Sequence, residues 1–275
     1  MQSENHKMAH VDRKLVADRM VTLAGGQNFR EVGGYPTTDG KQLRRGRLWR
    51  SAKLDELTKA DADIIAELGI RTIADLRRTN ERSSSPTPEA LLTQTRVLAW
   101  DVQVAQQEEI MAGLFETDRS NDEYVATMLE LYRQIPEQHV THLSDLYTAI
   151  ADGETPVLIH CAAGKDRTGI AVGFLLDAIG IERVYTLSDY AETEHLLDWD
   201  RLAHSAVAGA GVAKRWLDRL APDAMPLLQR SDPRYLASAF GEMETRYGST
   251  VGFMRERLGL SDAVIARLRD QLLES

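Results

Sequence analysis

The chain has 275 residues, a net charge of −9, 43% apolar and 27% charged residues, and one cysteine. This balance suits a globular domain with a full core, argues against a dedicated nucleic-acid surface, and excludes an intramolecular disulfide or a cysteine-based metal site. The longest apolar run, Gly169 to Ile181, is broken by Gly173 and Asp177, and Met1 to Arg19 lacks the apolar centre of a signal peptide, so the default expectation is cytoplasmic without stable membrane insertion, with export lacking such a signal left open.

Residues 1–20 are charged and read as a tail or helix ahead of a domain over 21–275. Asn28 to Ser51 carries short alternating segments around glycines, with Asp39-Gly40 as a turn signal, which predicts a hairpin or meander. Thr58 and Asp61 precede Ile64, Ile65 and Leu68, the pattern of a capped helix ending at Gly69. Ile70 to Leu76 and Arg96 to Trp100 read as strands, with Ser83-Ser84-Ser85-Pro86 as a loop between them. Residues 104–153 read as helical, with Pro136 starting a fresh helix and Gly153 ending it. Thr155 to His160 is a short apolar strand, and a helix follows from about Thr168 to Ala178. Beyond Gly180, spaced apolar residues predict helices over 186–199, 202–219, 233–246 and 261–273. Strands alternating with helices, followed by a run of helices, predict an α/β core with helical insertions at about 104–132 and 190–245.

The chemistry is concentrated in Val157-Leu158-Ile159-His160-Cys161-Ala162-Ala163-Gly164-Lys165-Asp166-Arg167-Thr168-Gly169. Cys161 ends a buried strand and Arg167 opens a helix. A loop between two such elements can curl its backbone N–H groups inward as an anion nest, reinforced by the helix N-terminus. The loop residues Ala162, Ala163, Gly164, Lys165, Asp166 and Arg167 would form it. Arg167 can fork two hydrogen bonds onto a phosphate. The same field favours the thiolate of Cys161, the form that attacks phosphorus, and Thr168 can donate to that sulfur. His160 points to the opposite face from Cys161 and reads as a brace for the loop. His139 and His142, three residues apart, show no third ligand and read as solvated or core-edge residues.

The loop resembles the H-C-x5-R-[ST] signature of the cysteine-based protein tyrosine phosphatase superfamily. The segments Asn28 to Tyr35, Gly46 to Ser51, Asp75-Leu76-Arg77 and Gly164 to Gly169 are similar to the bacterial tyrosine/serine phosphatases of the IphP type, and so are Tyr247-Gly248-Ser249 and Leu258 to Ser261. The likeness covers the chain from about Asn28 onward. It implies a parallel sheet flanked by helices, with additional helices as a lid over the site. It also implies hydrolysis of phosphotyrosine, with phosphoserine, phosphothreonine or phosphoinositide as further substrates, through a phosphocysteine at Cys161.

Expelling the leaving group needs a proton donor. Asp166 matches the aspartate of the family's Lys-Asp-Arg triplet and is the first candidate. Asp101, after the strand ending at Trp100, is the second, since Trp100-Asp101 is similar to the acid loop of the wider superfamily. Helix capping and a strand end are the ordinary roles for the two. Lys165 is similar to loop lysines of phosphoinositide phosphatases, while Ala162 departs from the second lysine that several of those enzymes carry. Arg77 reads equally as a substrate-side residue or as half of a structural ion pair. No metal or cofactor is implied, because the arginine and the amides supply charge stabilisation. A sulfurtransferase and a phosphate-reading module without turnover are the competing readings. The spacing to Arg167 with Thr168 after it, and the intact thiol, favour the phosphatase.

Overall fold

The computed structural model describes residues 18–101, 120–202, 226 and 229–275. Its centre is a sheet of β1 (Arg30–Glu31), β3 (Leu48–Ser51), β6 (Val157–His160), β4 (Thr72–Asp75) and β5 (Arg96–Ala99), in that spatial order. Strands β3, β6, β4 and β5 run parallel and β1 pairs antiparallel to β3. Between β1 and β3 in sequence lies β2 (Gln42–Leu43), which pairs with the C-terminal β7 (Leu273–Glu274). The central β6 is buried along its length. Its side chains alternate as a pleated strand requires: Val157 and Ile159 enter the larger core, Leu158 the smaller one on the other face.

Helices cover both faces. The smaller core is closed by α1 (Lys59–Glu67), then, after α2 (Thr79–Ser84), by α3 (Glu89–Leu92), through Ala62, Ile65 and Leu91. The capping box read at Thr58 and Asp61 is present; the Asp61 carboxylate also accepts from the Ala24 and Gly25 amides at 2.7 and 2.9 Å. The larger core is closed by α4 (Asn121–Gln138), α5 (Val140–Ala151), α6 (Asp166–Ile179), α7 (Arg183–Ala191) and, after the short α8 (Thr193–Leu196), by α9 (Pro233–Tyr247), α10 (Thr250–Glu256) and α11 (Asp262–Leu272). Of these, α6 is buried along most of its length from Thr168 to Ile179, each large apolar side chain contributing about 1.5–3 kcal/mol of burial. It stops at Gly180, whose φ of 93° is the left-handed conformation that closes a helix.

Several sequence expectations change. Pro136 does not start a helix: α4 runs through it to Gln138, and the break falls at His139. A proline two residues from the end removes a single backbone hydrogen bond, which terminal packing tolerates. Ser83 and Ser84 are the last turn of α2 and not a loop, their hydroxyls donating to the carbonyls of Thr79 and Asn80. The helix after the cysteine loop begins two residues earlier than expected, at Asp166. The helix α10 and the strand β7 were not legible, being too short for periodicity to show. The sheet is mostly rather than wholly parallel. Most of the 1–20 tail, the 202–219 helix and the stripe residues Ile110, Leu114, Val212, Trp216 and Leu220 fall outside the described residues. Arg19 already belongs to the domain, buried with its guanidinium 4.3 Å from the Tyr35 ring.

Candidate active site

Cys161 follows β6 directly and is buried. From there to α6 every carbonyl of the loop has a partner. The Cys161 oxygen lies 3.3 Å from His160 Nδ1, and that of Ala162 accepts from the Lys53 amide at 2.9 Å. Asn28 Nδ2 donates to the oxygens of Ala163 and Gly164 at 3.1 and 3.2 Å, Arg50 donates to Gly164 at 2.8 Å, and the Lys165 oxygen accepts from the Gly169 amide at 2.7 Å. In a trans peptide the N–H opposes the C=O. Carbonyls drawn outward therefore turn the amides of Ala162, Ala163, Gly164, Lys165 and Asp166 toward the interior, where the N-terminus of α6 adds its positive end.

Gly164 is needed there for two reasons. Its φ is +66°, and a Cβ would stand 2.1 Å from the Ser51 carbonyl oxygen. Asn28 takes the left-handed conformation as well, φ 56°, which lets its side chain span both loop carbonyls. Behind this contact, Asp189 binds Arg30 at 3.2 Å and Arg50 at 2.6 Å, all three side chains buried. Burial alone would raise the Asp189 carboxyl, but Arg30 and Arg50 hold it far below the usual carboxylate range. The loop thus rests on a charged platform joining β1, β3 and α7.

Arg167 is fixed by Glu81 of α2, with Nη1 to Oε2 at 2.6 Å and Nη2 to Oε1 at 2.8 Å. A second Nη1 hydrogen goes to the Leu76 carbonyl at 3.0 Å. Of the five guanidinium donors, the Nε–H and one Nη2–H are not used by these bonds, and they form the fork that suits a phosphate. Burial opposes the charge on Arg167, but Glu81, Cys161 and Asp166 hold it cationic. Burial likewise opposes the Glu81 carboxylate, and Arg167 brings it down to about 2. Glu81 was not singled out in the sequence, because nothing local links it to a residue 86 positions away.

The other expected site residues divide sharply. Asp166 opens α6 with its Oδ1 accepting from Tyr132 at 2.6 Å and lying 3.4 Å from Lys165 Nζ. Asp101 is 88% exposed in its side chain and bound to Arg82 and Thr79 at 2.9 and 3.1 Å. The Thr168 hydroxyl is buried and makes no hydrogen bond, so the donation to the cysteine sulfur expected from sequence is not made here. His160 points from its buried strand toward Asp75, Nε2 to Oδ1 3.6 Å; burial keeps its ring below the usual histidine range despite that carboxylate. Arg77 donates to Asp75 at 2.8 and 2.7 Å, to the Ser85 carbonyl and to Thr87, which makes it half of a structural ion pair. Lys165 Nζ donates to the Arg230 carbonyl at 3.2 Å and lies 5.8 Å from the Trp199 ring.

His139 and His142 are buried at the core edge, not solvated; their rings meet tilted at 4.8 Å, and the Trp100 ring lies 4.7 Å from that of His142. Burial first, then His142 and the Arg167 charge, lowers His139 to about 3; burial, Arg167 and Arg82 lower His142 to about 4.

The pattern of the tyrosine phosphatase family matches residues 21–274. The triple specificity protein phosphatase PtpB of Mycobacterium tuberculosis is 33% identical over 280 residues, covering 91% of this chain and 98% of that protein. A tyrosine-protein phosphatase of Nostoc commune is 29% identical over 236 residues, covering 81% of this chain and 73% of the relative.

Proposed function

The chain belongs to the tyrosine phosphatase family, and we propose that it runs the reaction with Cys161 as nucleophile, Arg167 and the loop amides as the phosphate cradle, and Asp166 as the general acid. It hydrolyses phosphotyrosine through a phosphocysteine. The observation that carries the assignment of roles is the loop around the lone cysteine, its carbonyls from Cys161 to Lys165 each engaged by a partner.

The Cys161 thiolate attacks phosphorus in line, forming the S–P bond as the P–O bond to the substrate breaks. The amides of Ala162 to Asp166 and the free fork of Arg167 hold the equatorial oxygens, where charge gathers in the transition state. Asp166 gives its proton to the departing oxygen. Water then attacks the phosphocysteine with the Asp166 carboxylate as base, releasing phosphate and regenerating the thiolate. His160 and Arg77 act as braces. Asp166 is favoured over Asp101 because it stands on the loop itself, while Asp101 is exposed and tied to Arg82.

The M. tuberculosis relative is a triple specificity phosphatase, which supports more than one substrate class here; phosphoserine, phosphothreonine and phosphoinositide are the further substrates proposed, and the Lys165 cation beside Asp166 suits their phosphates. No helix among the described residues is long and apolar enough to cross a membrane, and a reducing compartment, the cytoplasm by default, suits a mechanism that needs a free thiol.

The test is kcat/KM against pH for Asp166→Asn and Asp101→Asn. Asp166→Asn is expected to lose the alkaline limb and about 10²–10⁴-fold in rate, with Asp101→Asn close to wild type. The opposite pattern would transfer the acid role to Asp101.

A further inference from the structure

We propose that Tyr132 and Tyr190 are positioning residues for the Asp166 acid, a two-hydroxyl chain that fixes which carboxyl oxygen faces the leaving group. The inference rests on the assignment of Asp166 as general acid.

Tyr132 on α4 and Tyr190 on α7 are both fully buried, and their oxygens lie 2.5 Å apart. Tyr132 is also 2.6 Å from Asp166 Oδ1. A phenol has one proton to donate. An ionised Asp166 can only accept, so the Tyr132 proton goes to Oδ1, and the Tyr190 proton must then go to Tyr132. The chain is thereby oriented one way, from Tyr190 through Tyr132 to the carboxylate. Burial, with the Asp166 charge next, keeps both phenols protonated far above neutral pH. Oδ1 is thus permanently occupied and Oδ2 lies outside these bonds, on a side chain 32% exposed. Oδ2 is the oxygen that carries the transferable proton.

Two buried phenol hydroxyls in contact need a reason to be there. Phenylalanines would fill the apolar cluster in which both rings sit, but would leave the Asp166 oxygen without its donor. The titratable groups facing Asp166 are Lys165 and Arg167 from the loop and α6, Tyr132 from α4, Tyr190 from α7, and Tyr235 from α9. The two cations come from the loop itself. The uncharged donor is supplied by the helical layer, and it alone fixes the carboxyl without competing for phosphate.

A hydrogen bond to the ionised carboxyl favours that form. Tyr132→Phe should therefore raise the alkaline limb of kcat/KM by about one pH unit. Proton donation matters most for a poor leaving group, so kcat/KM below the limb should fall about ten-fold for phenyl phosphate and far less for p-nitrophenyl phosphate. Added to Asp166→Asn, Tyr132→Phe should cost nothing further. Tyr190→Phe keeps the Tyr132 donor and should move the limb the same way by less, and it decides the matter should Tyr132→Phe fail to fold. An unmoved limb with equal losses on both substrates overturns the inference, as does a further loss in the Asp166→Asn background. If Asp166→Asn itself keeps the limb, the acid assignment falls and takes the inference with it. A limb lost in Asp166→Asn but unmoved in both tyrosine variants overturns the inference alone.

Discussion

Glu81→Gln is the perturbation that most sharply tests how Arg167 is held. Against the burial that opposes its charge, the Glu81 carboxyl, ordinarily at 4.5, is held at about 2 by Arg167 and, less strongly, Arg78; at about 1.4 kcal/mol per pH unit, these surroundings together favour the carboxylate by about 3 kcal/mol. Removing one partner of a mostly buried pair strands the other, and losses of about 3–5 kcal/mol are usual. The amide keeps one acceptor, so the lower figure applies. For a chain of this size the melting temperature should fall by roughly 6–12 °C. Because the folded carboxyl is depressed, its contribution is complete above about 4.5 and fades as pH falls toward about 2. The gap between wild type and variant should therefore close across that window. Tungstate or inorganic phosphate should recover part of the loss, since an oxyanion supplies the charge Arg167 has lost. Thermal unfolding at pH 7 and at pH 3, with and without tungstate, reads all three. A variant as stable as wild type at pH 7, or a gap that widens in acid, would refute the reasoning.

Gly164→Ala should abolish oxyanion binding and turnover, because a Cβ 2.1 Å from the Ser51 carbonyl at a φ of +66° cannot be placed without displacing the loop; equilibrium binding of tungstate checks it, and retained affinity would contradict the nest geometry. Acid should destabilise the fold well above carboxylate pH. His139 and His142 are lowered to about 3 and about 4 from 6.5, so the unfolded chain binds more protons between those values and stability falls as pH drops below about 6.5. Urea unfolding from pH 7 to 4 should show this slope, and His142→Phe should remove about one proton of it.

How much was legible beforehand follows from sequence distance. The cysteine loop is continuous in the chain, so the strand end at Cys161, the turn at Gly164 and the place of Arg167 at the start of a helix could be read directly. The Thr58 capping box and the burial of β6 are likewise local and appeared as expected. The side chains that make the loop rigid are remote: Asn28 is 135 residues from Ala163, and Arg30 is 159 from Asp189. Residue type alone does not show such partners. Glu81 was hidden twice over, by distance and because its short helix reads as a serine-rich loop. His139 and His142 were left between a solvated face and the core edge because their spacing fits both, and their contacts with each other and with Trp100 decide against the solvated one. Thr168 differs for another reason: its position was right, but a hydroxyl rotor's partner is not encoded by position.

The central claim is a phosphate bound covalently to Cys161 during turnover. A phosphotyrosine peptide, with chelator present and no added metal, should be hydrolysed by the wild-type protein and not by Cys161→Ser. Rapid acid quench of the wild-type reaction should yield a Cys161-containing peptide heavier by one phosphate. Turnover by Cys161→Ser at the wild-type rate, or hydrolysis with no phosphate ever found on that peptide, would contradict the account.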